Sequence, residues 1–194
     1  MAINDDNDPL LRAGRHAEAA AAAAAAGDHA GAARVWEQIW EWGAAAAAWE
    51  AAGELGRALG AALEGKDEAA IAALHARLVH DDAGAARALE VYARHRRHGP
   101  AAELAERLGQ RDRAIELYQR AHRDLDAARL LESAGRDREA VRLLERALEL
   151  ALADERAAIV LRLGRILTAR ASYDVAVRYL QEAAKHAATA GEEI

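Results

Sequence analysis

Among the residues that could carry chemistry, histidines close to carboxylates come first. His75, His80, Asp81 and Asp82 lie near one another, and His95 and His98 are three residues apart, a spacing that sets two imidazoles on one helical face. Either group could hold a divalent ion. The second pair has another reading. Arg94-His-Arg-Arg-His98 runs into Gly99-Pro100, so its cations would stand at a helix C-terminus, against the partial negative charge there. An anionic contact is a further use of that run, and the helix-end reading is preferred. No metal is expected. His16, His29, His122 and His186 have no partner pattern.

Ser133 and Ser172 are the only serines. Both fall at expected helix ends, where capping or turn formation accounts for them. Nucleophilic catalysis needs a nucleophile beside a base, and phosphate binding needs a glycine-rich loop leaving a strand; neither pattern occurs. The chain is therefore expected not to be an enzyme and to need no cofactor.

The elements that would position side chains follow from composition. Hydrophobic residues make up 53% of the 194 but aromatics only 4%, with no Phe, so Ala and Leu must do the packing. Ala, Leu, Arg and Glu are good helix formers, and β-branched residues never alternate as a strand requires. Pro9 and Pro100 are the only prolines, so no proline-rich linker divides the chain. The net charge of −6 supplies no positive field for nucleic acid. With no Cys there are no disulfides or thiolate sites. Met1-Ala-Ile-Asn-Asp-Asp-Asn-Asp8 is acidic, unlike an export signal, and the Ala19–Ala26 run is too short and weakly apolar to cross a bilayer. Cytoplasmic residence without membrane insertion is expected.

A thirteen-residue rhythm organises the chain. AELAERLGQRDRA (102–114), IELYQRAHRDLDA (115–127), ARLLESAGRDREA (128–140) and VRLLERALELALA (141–153) stack without gaps, and blocks at 20–32, 33–45 and 46–58 fall on the same grid. The stretch 59–101 drifts by a few residues. Gly27, Gly53, Gly109 and Gly135 share one column, where a left-handed residue would stop each helix. Ala32, Ala45, Ala58, Ala114, Ala127 and Ala140 close the blocks at points of close helix approach. Thirteen residues allow about nine helical residues and a turn of about four, so neighbouring helices must run antiparallel. Helices so short must borrow stability from their neighbours.

The fourth column holds Trp36, Trp49, Ala105, Tyr118, Leu131 and Leu144 and is read as inward-facing, which assigns Trp36 and Trp49 to packing. Trp40 and Trp42 lie off that column. They are candidates for partner contact or self-association, with satellite packing between short helices as the alternative.

Beyond about residue 140 the rhythm lengthens. Leu163-Gly164, Leu167, Tyr173, Ala176, Leu180 and Ala183 follow the spacing of a 34-residue helix pair at 157–190, and Ala127-Ala128, Leu131, Gly135, Ala140, Leu144 and Ala147 follow it more loosely at 121–154. In this the C-terminal half resembles the tetratricopeptide repeat family, with Ala188 where the family has a closing proline. Upstream the pattern grades into short helical hairpins like those of coat-protein and transport-complex solenoids.

The resemblance implies an all-α, right-handed α-solenoid of antiparallel hairpins. One repeat domain is expected over 1–194, with an acidic tail at 1–8, tight half-repeats from about 9 to 140 and longer helices from about 137 to 190. It also implies a concave wall made by the first helix of each pair, which binds a peptide or helix of another protein. Carrying over the groove-facing positions gives His122, Asp126 and Arg129 on one helix and Arg162 and Arg165 on the next. Those arginines are expected to grip carboxylates of an acidic segment or chain terminus. The alternatives are a nucleic-acid-binding solenoid of the HEAT kind, which the net charge disfavours, and a self-associating segment of a larger protein.

Overall fold

The computed structural model describes residues 9–181, and these contain helices and turns with no strand. The chain divides into two units, residues 1–108 and 109–194. The expectations for the acidic tail at 1–8, for His186 and for the positions from Ala183 onward lie outside the described residues.

In the first unit α1 (Pro9–Arg12), α2 (His16–Ala25), α3 (His29–Gln38), α4 (Trp42–Ala51), α5 (Leu55–Gly65), α6 (Glu68–Leu78), α7 (Asp82–Arg94) and α8 (His98–Arg107) each pack on the next, and α5 also packs on α7. In the second, α9 (Arg111–Arg120), α10 (Asp124–Ser133), α11 (Asp137–Leu150) and α12 (Ala153–Ala169) do the same, and α10 also touches α12. Residues 173–181 are helical as well. The helix-pair solenoid expected from the sequence is thus the architecture of the described chain.

Turn geometry explains the rhythm. Gly14, Gly27, Trp40, Gly53 and Lys66 all have positive φ at thirteen-residue intervals, and Arg96, Gly109, His122 and Gly135 resume the interval. At most of these turns the amide after the left-handed residue reaches back to the fourth-column carbonyl: Glu41 to Trp36, Glu54 to Trp49, Arg123 to Tyr118 and Arg136 to Leu131, at 2.9–3.0 Å. This closure satisfies carbonyls that the helix end would leave orphaned. The expected drift falls at one place. The α6–α7 connection has no left-handed residue, and Asp81 is extended and accepts from the Gly84 amide at 2.6 Å. A side chain at Gly84 would collide with the Leu78 carbonyl oxygen, so this turn depends on glycine.

The closing alanines Ala32, Ala45, Ala58, Ala114, Ala127 and Ala140 are fully buried, each at the fourth position of its helix. A larger residue would drive the helices apart. The fourth column faces inward: Trp49 is 1% exposed, and Ala105, Tyr118, Leu131 and Leu144 are buried. Trp36 is partly buried against Leu11, Ala19, Ala20 and Val35. Trp49 also donates from Nε1 to Glu37 at 2.7 Å, and the Arg57 guanidinium lies 4.6 Å from its ring centre. Its polar edge and π face are therefore both satisfied, as a buried indole requires.

Candidate partner-binding surfaces

In the first unit a cavity of about 840 Å³ opens between α5 and α7. Its shape follows from glycine. A β-carbon on Gly56 would meet Val91 at 4.0 Å and one on Gly60 would meet His95 Nε2 at 3.5 Å, so α5 presents bare backbone to α7. Arg87 and Arg94 stand two turns apart on α7 and make no side-chain hydrogen bond or ion pair among the described residues. Glu54, Glu64 and Glu90 also line the groove, which therefore carries both signs of charge. His95 Nδ1 lies 3.1 Å from Glu64.

Trp42 lines this groove and packs against Gly65. Trp40 is 76% exposed and meets Trp42 edge-on, with ring centres 5.9 Å apart. It holds the left-handed turn position, φ 64°, which glycine fills in three of the four other turns of its thirteen-residue series, at Gly14, Gly27 and Gly53. A bulky side chain there is strained. That position was legible in the sequence, thirteen residues after Gly27.

The histidine and carboxylate clusters serve structure. Asp81 caps α7, and the Gly84 amide holds its carboxyl below the usual range. His75 Nδ1 meets the Tyr92 hydroxyl at 3.1 Å, and burial pushes the Tyr92 hydroxyl up. His95 ends α7 while His98 begins α8, with left-handed Arg96 between them, so the pair does not share a helical face. Arg97 reaches Glu68 at 3.1 and 3.2 Å. Among the described residues no three His, Asp or Glu side chains are grouped to hold a metal. Ser133 Oγ donates to the Leu130 carbonyl at 2.8 Å.

In the second unit α10 and α12 lie side by side as first helices of consecutive pairs. Arg129 is 4.0 Å from Asp126, which also accepts from Arg123 at 2.8 Å. Arg162 donates to Glu132 at 2.5 Å, both side chains being about a quarter exposed. Arg165 is exposed and has no partner among the described residues. The groove expected from the sequence thus already holds carboxylates of its own. The tight crossing expected at Leu163-Gly164 is present: Leu163 is fully buried, and a β-carbon on Gly164 would lie 2.6 Å from Leu180 Cδ2.

Residues 125–158 match the family model of the tetratricopeptide repeat. The match covers α10, α11 and the start of α12, beginning four residues after Ala121. The second unit therefore contains a tetratricopeptide-like repeat whose first helix carries Asp126, Arg129 and Glu132. A search of curated proteins finds no match. Four chains of solved structures match. One, described as "Crystal structure of MamA", is 14% identical, with 89% of this chain and 96% of that chain covered and a TM-score of 0.44.

Sequence reasoning missed the α5–α7 groove and its arginines. The signal was available in Gly56 and Gly60, two glycines a turn apart on an otherwise strong helix.

Proposed function

We propose that the protein is an interaction scaffold, holding a segment of another protein in grooves between alternate helices of its stacks. The observation that supports this is the α5–α7 groove, about 840 Å³ with a glycine floor and two arginines, Arg87 and Arg94, that form no ion pair among the described residues. A backbone-lined trough admits a helix or extended chain closely, and free guanidinium groups at its rim orient carboxylates. In the second unit Arg165 is the arginine most ready to receive an acidic segment or chain terminus, and Arg129 on α10 would have to loosen its contact with Asp126. Arg162 would have to exchange Glu132 for the partner's carboxylate. Helical scaffolds of this kind act by presenting surface, and no catalytic role is proposed.

A second reading rests on Trp40. A strained, exposed indole beside Trp42 is the kind of anchor that carries association energy, with a second copy of the chain as occupant.

Photo-crosslinking in cells tests the scaffold reading. A benzophenone amino acid is placed at Val91 or Arg165, and at Arg34 or Arg138 for comparison. Discrete protein adducts from Val91 or Arg165 and none from Arg34 or Arg138 are expected. Adducts of equal yield at all four positions, or at the comparison positions alone, would overturn it.

A further inference from the structure

The turn from α11 into α12, like that from α6 into α7, departs from the thirteen-residue turns. It has no left-handed residue; Ala151 and Leu152 are both extended, with ψ 138° and 165°. Straightening the chain there turns two leucines outward: Leu150 is 87% exposed and Leu152 71%. Two apolar side chains of that size held in water mark a surface that gains by being covered.

Beside them lies a cavity of about 360 Å³. Leu125, Ala147, Leu150 and Ile159 form its apolar walls, and Asp124 and Glu155 bring carboxylates to it. Asp124 is half-buried, and neither it nor Glu155 makes a side-chain hydrogen bond or ion pair among the described residues. Arg123 also lines the cavity but is bonded to Asp126 at 2.8 Å. Burial pushes the Asp124 carboxyl up, His122, which also lines the cavity, and Arg146 oppose that, and Glu155 adds to it. A carboxylate removed from water without a partner is costly, and a cation delivered to it recovers that cost.

We propose that this corner binds a basic, leucine-rich segment of another protein. An arginine or lysine enters the cavity with its alkyl stem along Leu125 and Ile159 and its charged head at Asp124 and Glu155, while apolar neighbours cover Leu150 and Leu152. Long cationic side chains are built for such a site, apolar along the stem and charged at the tip. A divalent ion fits worse, since Ca²⁺ takes six to eight oxygens and two carboxylates among apolar walls supply few. The site borders the Arg129 surface, since Asp126 lines the cavity and pairs with Arg129, but it selects the opposite charge.

The test is a titration of ¹⁵N-labelled protein with the peptide acetyl-Leu-Arg-Leu-Arg-Leu-amide, followed by amide shifts. Shifts confined to residues 122–126 and 147–159 are expected, with affinity at least tenfold weaker in Asp124→Asn/Glu155→Gln and unchanged in Glu116→Gln. The same peptide with citrulline for arginine keeps the shape and removes the charge, and on unaltered protein it should also bind at least tenfold more weakly. Equal binding of the citrulline peptide, equal binding by a correctly folded double variant, or shifts centred elsewhere would overturn the proposal.

Discussion

Arg162 donates from Nε to Glu132 Oε1 at 2.5 Å and so ties α12 to α10. The bond lies across the face expected to receive a partner, and it sets two effects against each other. Glu132→Gln should lower stability by about 1 to 2 kcal/mol, as loss of a charged hydrogen bond does. It should also strengthen binding of an acidic peptide several-fold by releasing the guanidinium. Urea unfolding reads the first effect and fluorescence anisotropy with a labelled polyglutamate peptide the second. Weaker peptide binding in the variant would remove Arg162 from the binding surface.

Gly164 has no room for a β-carbon, because Leu180 occupies it at 2.6 Å. Gly164→Val is expected to destabilise the second unit by about 1 to 3 kcal/mol through overpacking. Adding Leu180→Ala should return part of that loss. A double variant no more stable than Gly164→Val would show that the two residues do not meet.

Trp40→Gly should relieve the left-handed strain at φ 64°. The gain is about 0.5 to 1 kcal/mol after the greater freedom of glycine in the unfolded chain is counted. If Trp40 is also an association point, the same change abolishes any concentration-dependent mass. Thermal unfolding and sedimentation at two concentrations measure the two effects separately.

The helix-pair solenoid was legible because turn geometry and close approach leave direct marks in sequence. Glycine marks five of the ten left-handed positions among the described residues, and alanine marks the close approaches at Ala32, Ala45, Ala58, Ala114, Ala127 and Ala140. The turns at Trp40, Lys66, Arg96 and His122 were legible only by counting, since nothing in those residue types announces a positive φ. The functional surface was less legible. Spacing placed Arg129, Arg162 and Arg165 on neighbouring helices, but it could not show that Glu132 and Asp126 stand beside them, because ion pairs between helices depend on side-chain reach across the crossing. The α5–α7 trough arises from what α5 lacks, and its one mark in the sequence is the pair Gly56 and Gly60, a turn apart.

The pH response follows from Asp124. Its carboxyl is pushed above the ordinary value, chiefly by burial, so the folded state binds the proton more tightly than the unfolded one. The ionised form therefore weakens the fold above that raised value, and the handicap disappears as pH falls below the unfolded value. Asp124→Asn should raise the unfolding midpoint at pH 7 and leave it unchanged near pH 3. Asp81 runs the other way: its carboxyl is held low by the Gly84 amide. Asp81→Ala should lower the midpoint at neutral pH, by an amount that shrinks as pH falls through the low carboxylate range. Midpoints measured from pH 3 to 8 check both.

Hydrogen–deuterium exchange on Ala127→Leu tests most directly the claim that helices of about ten residues stand only by nesting on small side chains. Ala127 is fully buried, and leucine there should part α10 from its neighbours. With Ala127→Leu, α9, α10, α11 and α12 should lose protection together. Loss confined to residues 124–133, with 111–120 and 137–150 still protected, would contradict it.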